Sequence, residues 1–215
     1  MTTTASAVPV ASSDVSRRAS LATTGAVLWT LSSIVWGISD LEAQEFGTLR
    51  FVAVAVAWWV FMVLPPALLV VGHTALRTAL RPAPGKVGLA GLVVAGLGLG
   101  SMGLGIGIEV ASMSLGGGEV AVGHAILLVG FLLCIAGGLV TGITVLRRRR
   151  DGQSRAAGWL LLLALPLGIG IGALGGAIAP TNDAFFWAAL TVPTGIAWVL
   201  LGRSLTDERR PSVPA

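Results

Sequence analysis

Polar and apolar positions come in blocks along this chain instead of being interspersed. Six segments, 21–39, 51–72, 87–108, 120–146, 157–179 and 184–202, are nearly free of Asp, Glu, Lys and Arg. Each approaches or exceeds the roughly 20 helical residues that cross a hydrocarbon layer of ~30 Å. Their apolar residues run on without period-two alternation, which excludes the strands of a closed membrane barrel. The predicted fold is all-α, a polytopic membrane protein of six transmembrane helices. Residues 21–202 form the membrane domain, 1–20 are expected to be a disordered tail rich in Ser, Thr and Ala, and 203–215 a second tail.

Charge adds an orientation. Arg17 and Arg18 precede the first segment, and Arg77, Arg81 and Lys86 lie between the second and third. Arg147, Arg148, Arg149, Arg150 and Arg155 lie between the fourth and fifth, and Arg203, Arg209 and Arg210 follow the sixth. Arg50 alone falls on the opposite side, with Asp40, Glu42, Glu45, Glu109, Glu119 and Asp183. Short loops obey the positive-inside rule, so both termini are expected in the cytoplasm. The excess of Arg over Lys accompanies GC-rich bacterial genomes, and the expected location is a bacterial cytoplasmic (inner) membrane.

Composition agrees: 54% of residues are hydrophobic and 11% charged, where soluble domains carry roughly 25% charged residues. The net charge of +4 does not imply nucleic-acid binding. The run RRRR at 147–150 flanks a helix end with no aromatic interleaving, as a topology anchor does. SRRASL at 16–21 resembles part of a twin-arginine export signal, but Ser20 stands where an aromatic is usual. The apolar run that follows exceeds a signal h-region, so it is read as a retained first helix.

The glycines raise a sharper question. Gly98, Gly100 and Gly103 spell G-x-G-x-x-G, the fingerprint of dinucleotide-binding loops. That fingerprint needs a strand before it and an acidic residue about 20 positions after it, and here it lies inside a membrane-length run. On a helix, Gly96, Gly100, Gly103 and Gly107 fall within about 40° of the first, and Gly91, Gly98 and Gly105 on the opposite side. Two stripes of small residues let neighbouring helices approach closely from both sides. Glycine here means packing, and the third helix should be central.

The text GLGLGSMG at 96–103 recurs as GIGIGALG at 168–175, which adds Gly168, Gly172 and Gly175 to the expected packing residues. GHTALR at 72–77 and GITVLR at 142–147 form a second related pair. A repeated two-helix hairpin is the corresponding expectation. Pro65 and Pro66, Pro166 and Pro193 should interrupt or kink their helices, with Thr191 and Thr194 placed to satisfy carbonyls freed by Pro193.

Chemistry is sparse. His124 is the one ionisable residue inside the six segments, with Glu109 and Glu119 on the same side, and these three form a candidate outer-face polar site. His73 should lie at the far end of its helix, ~25 Å from His124 along the normal, so the two cannot share a haem iron. Cys134 is the sole cysteine and no ligands pair at i, i+3 or i+4, so neither metal nor cofactor is expected. A Ser101–His124 dyad would be the enzyme reading, but Leu99 stands where G-x-S-x-G requires glycine. Trp36, Trp187, Trp159 and Trp198 fit interfacial belts, and Trp58 and Trp59 sit deeper.

The reading that results is a non-enzymatic structural or accessory membrane component. Its expected partners are the lipid bilayer and either a second copy or another membrane protein. The alternative is a small transporter or channel for a neutral or weakly charged solute, which the kinked helices and the repeat favour and the absence of acidic residues in the six cores opposes.

Overall fold

In lipid every backbone polar group must find its partner within the chain, and continuous helices answer that demand. The computed structural model describes residues 11–80, 85–180 and 184–207. Among them are α1 (Ala11–Ile38), α2 (Leu49–Trp58), α3 (Leu64–Ala79), α4 (Gly85–Ser114), α5 (Ala121–Arg148), α6 (Gly152–Ile178) and α7 (Ala184–Asp207). A π-helical turn, Trp59–Val63, joins α2 to α3 into one span. The described residues are therefore all-helical, with six helices long and apolar enough to cross a membrane among them. Arg81, Asp183, Arg209 and Arg210 lie outside the described residues.

The spans form a closed ring. Packing runs from α4 to α5, α6, α7, α1 and α3 and returns to α4, with α3 also touching α7 across the middle. Outward-facing residues such as Leu97, Leu104, Leu132 and Ile169 are apolar and exposed, as a lipid-facing surface requires.

Several boundaries differ from the charge-free segments. α1 begins at Ala11, although residues up to 20 were expected as a disordered tail. Contacts explain the added turns: Asp14 pairs with Arg18 at 2.5 Å, the Arg18 guanidinium donates to the Thr74 hydroxyl at 3.4 Å, and Val15 and Ala19 are buried. Pro65 and Pro66 were expected to interrupt or kink their helix, and the α-helical ladder is interrupted just before them. There the helix widens into the π turn and then continues to Ala79. A π turn relaxes the i to i−4 ladder where proline has no N–H to offer. Pro166 and Pro193 lie inside unbroken helices.

Close approach of backbones holds the ring together. On α7, Gly195 and Gly202 receive Thr30 and Thr23 of α1, seven residues apart on both helices. Those two hydroxyls donate to the Ala26 and Ala19 carbonyls at 2.9 and 3.1 Å, which lets a polar side chain lie in an apolar interface. Gly72 of α3 meets Ala22 of α1 in the same way.

α4 and α5 are the most extensively packed pair. Their connection is a tight turn at Gly116, whose φ of 80° is a left-handed conformation that favours glycine. The Gly117 N–H donates to the Ser112 carbonyl at 2.9 Å and closes the end of α4.

At the basic end of the ring, Asp151 caps α6 by accepting the Ser154 N–H at 2.8 Å. Arg149 donates to Ser204 of α7 at 3.0 Å, and the Ser154 and Ser204 hydroxyls are 2.7 Å apart. This buried knot fixes the start of α6 against the end of α7. Burial raises the Asp151 carboxyl, but the N–H and hydroxyl of Ser154, the Arg149 charge and the Ser204 hydroxyl outweigh it and hold it below its usual value.

Candidate functional site

The α4–α5 hairpin places Glu109 one turn before the end of α4 and His124 in the first turn of α5. The two meet, with His124 Nδ1 3.2 Å from Glu109 Oε1. The side chain of Glu109 is 13% exposed and that of His124 is 51% exposed, so the carboxylate is sheltered and the imidazole faces out. Glu119 stays exposed in the turn and acts on Glu109 through its charge, as Glu42 does from the α1–α2 loop. When His124 is charged the two side chains form an ion pair. An ion pair so open to solvent contributes about 1 kcal/mol or less.

The same hairpin separates Ser101 from His124. Gly130 lies against the backbone of Met102, so Ser101 is level with a point six residues, or ~9 Å, from His124 along α5. The two histidines are also far apart. His73 donates from Nε2 to the Leu92 carbonyl, whereas His124 meets Glu109, 17 residues further along α4 and hence ~25 Å away.

His73 is not at a helix end. It is 6% exposed, enclosed by α4 and by Trp198, whose ring centre is 5.7 Å away, and its Nδ1 has no hydrogen-bond partner. Its true depth was hidden because α3 runs seven residues past the charge-free segment.

Two of the four tryptophans expected in interfacial belts, Trp187 and Trp198, are buried within the ring. Trp29, Trp58, Trp187 and Trp198 are buried, and only some of the remainder can meet lipid. Trp58 stacks on Trp36 at 5.1 Å, Trp36 on Trp187 at 5.4 Å, and Trp187 meets Trp29 edge-on at 5.5 Å. In this column three indole N–H groups find hydroxyls: Trp58 donates to Ser39, Trp187 to Ser32 and Trp29 to Thr194. The column runs through α2, α1 and α7 towards the centre of the ring. Trp159 is half exposed and does face outwards.

Below this column lies a cavity of ≈40 Å³ to which all six spans contribute. Its walls include Trp29, Met102, Cys134, Thr141, Thr194 and Trp198. Such a space admits only a few water-sized molecules. The Thr194 hydroxyl donates to the Leu190 carbonyl at 2.7 Å, but the hydroxyl of Thr141, a residue 1% exposed, has no partner. Thr191, expected to serve the carbonyls near Pro193, is also buried with an unpartnered hydroxyl. The carbonyl that Pro193 frees, that of Ala189, instead lies against Gly168.

The seven glycines expected to pack do not behave alike. On α4, a Cβ at Gly96 would lie 3.1 Å from His73, one at Gly103 2.9 Å from Pro66, and one at Gly107 3.7 Å from Val63. On α6, Gly168 meets Ala189 and Gly175 meets Phe185. Gly100 and Gly172 face open space, with nothing within 4 Å. Both sit about 40° round the helix from their neighbours, enough to miss the contact line.

Among the described residues, no group of three or more His, Cys, Asp or Glu side chains could hold a metal ion. Comparison with protein-family models, with curated proteins and with solved structures finds no match.

Proposed function

We propose that this chain is a non-enzymatic structural or accessory component of a membrane, working through helix contacts with another polypeptide or a second copy. The observation that carries the reading is the middle of α6. From residue 162 to residue 174 not one side chain is buried, although the segment is long, apolar and glycine-rich. A stretch with no buried side chain, on a helix already packed on α5 and α7 elsewhere, leaves a face on which a neighbouring helix can lie. We place both termini in the cytoplasm of a bacterial cell, because the Arg-rich ends of the spans face one way. We also read the α4 and α6 texts as copies of one duplicated hairpin whose neighbours have since diverged.

Native mass spectrometry of the protein extracted from its own membrane tests this. A stable mass containing a further polypeptide is expected. A bare monomer under every gentle extraction would end the proposal.

The central cavity favours a second reading, passage of a small neutral solute. Gly138 lines that cavity, and a Cβ there would meet nothing within 4 Å. Gly138→Met should therefore fill the space without breaking the ring. Liposome flux of water-sized solutes that is present in the natural protein and lost in this variant would support transport. Flux indifferent to the change, or none in either, would remove it.

A further inference from the structure

The basic end of the ring holds a second and much larger opening. Between the first turn of α4 and the last turns of α5 lies a groove of ≈460 Å³. Lys86 of α4 and Arg147 and Arg148 of α5 line it, above Val87, Val140 and Ile143. None of its lining residues is acidic.

Two other basic residues at this end have acidic partners on the same stretch of chain. Arg18 is paired with Asp14, and Arg149 with Asp151. In the groove, Lys86 and Arg147 come from two helices and converge with no acid on the wall. Like charges brought together at a low-dielectric boundary repel, and an anion between them removes that cost. The positive end of the α4 dipole adds to the same field.

The vertical order of the groove narrows the identity of the anion. The cations lie at the ends of membrane-spanning helices, at headgroup level. Val87 and Ile143 beneath them are exposed and apolar, and Val140 continues the wall down the hairpin. The Thr144 hydroxyl is already committed to the Val140 carbonyl at 2.8 Å, so the lower wall presents no free donor there. Phosphate above and acyl chain below is the profile of a phospholipid, and free phosphate would use only the upper half. We propose that this groove is a binding site for an anionic phospholipid, its phosphate held by Lys86 and Arg147 and one acyl chain lying on Val140 and Ile143.

The experiment compares the whole protein in nanodiscs of phosphatidylcholine with and without phosphatidylglycerol, read by native mass spectrometry after release. One phosphatidylglycerol should stay bound per chain in preference to phosphatidylcholine. A Lys86→Gln, Arg147→Gln double variant should retain about tenfold less, since each cation near an anionic surface contributes measurably to the attraction. An Arg77→Gln, Arg155→Gln variant, altered at the same end of other helices, should retain as much as the natural protein. Lys86→Arg should keep the lipid, which separates lost charge from lost folding. Equal retention of the two lipids, or equal loss in the control variant, would overturn the proposal. So would inorganic phosphate that stabilises the lipid-free protein as strongly as phosphatidylglycerol does, because the site would then be for the anion alone.

Discussion

α4 and α6 carry almost the same eight residues, GLGLGSMG and GIGIGALG, yet the ring uses them differently. α4 is gripped on two faces. Gly96 and Gly103 lie on α3, while Gly91, Gly98 and Gly105 lie on Val140, Cys134 and Leu127 of α5. Within the shared text α6 is gripped on one face only: Gly168 and Gly175 lie on α7, and Gly170, the counterpart of Gly98, meets nothing within 4 Å, its contact with α5 being made earlier in the helix, at Gly158. Even the matched face points to a different kind of neighbour, the preceding span for α4 and the following one for α6. Glycine makes close approach available, and the topology decides whether a helix arrives. The repeat of contact is seven residues, so glycines at i and i+7 are used and the one at i+4 is left open.

The largest effect should come from filling the shared face on one helix and not the other. At Gly98 a Cβ would already lie 2.5 Å from the Cys134 backbone nitrogen, which cannot move without moving α5. Gly98→Val should therefore destabilise by about 3 kcal/mol or more, at the upper end of overpacking costs. Gly170→Val should change stability by less than ~0.5 kcal/mol, as at an open surface position. Thermal unfolding in one detergent measures both. Similar losses in the two variants would mean that α6 has a hidden partner on that face even when the chain is alone.

A second pair of substitutions tests the seven-residue line within α6 itself. Gly175→Val pushes into Phe185 and should cost roughly 1–3 kcal/mol. Gly172→Ala has open space and should be neutral or stabilising by up to about 1 kcal/mol, since it removes a glycine from a helix interior. If Gly172→Ala proved as harmful as Gly175→Val, the contact line would have to be redrawn.

How much of this could be read in advance depends on which interaction decides each feature. The six spans were legible because charge is expelled from lipid over a length that a helix must match. The two-faced character of α4 was legible because seven glycines fix two directions on a wheel. The open positions Gly100 and Gly172 were not, because a 40° offset is within the width of a stripe but outside the width of a contact. The tryptophan column was hidden for another reason: an indole beside a serine suits an interface and a buried hydrogen bond equally well. The early start of α1 goes with burial of Val15 and Ala19 and with Arg18 reaching Thr74, 56 residues away in the chain, which a local reading does not see. The Glu109–His124 contact was half legible, since both lay near one surface, but only the Gly116 turn brings them within 3.2 Å.

Thr141 stands where α5 leaves α4 and meets α6, next to Gly142, which lies against Gly158. Its hydroxyl is buried without a partner, whereas that of Thr144, one turn on, is bonded to Val140. Thr141→Val keeps the shape and removes the orphan, so it should stabilise by about 1 kcal/mol. Thr144→Val should be neutral or slightly destabilising. A destabilising Thr141→Val would show instead that water or a solute in the central cavity bonds to this hydroxyl, and would strengthen the transport reading.

The smallest effect tests the carboxylate in the knot that fastens the first turn of α6 against α7. Asp151 has a carboxyl held below its usual value, chiefly by Ser154 and Arg149 against the opposing effect of burial. A depressed carboxyl stabilises the fold when it is ionised in both states, that is above its unfolded value near ~3.9. The contribution is lost as pH falls through the lower, folded value. The gap in melting temperature between the natural protein and Asp151→Asn should therefore be constant from neutral pH down to about 4 and shrink below that. The shrinkage should be modest, because the carboxylate is 37% exposed and partly screened. A gap that widened on acidification would reverse the sign and mean that burial, which raises the carboxyl, outweighs Ser154 and Arg149, which lower it.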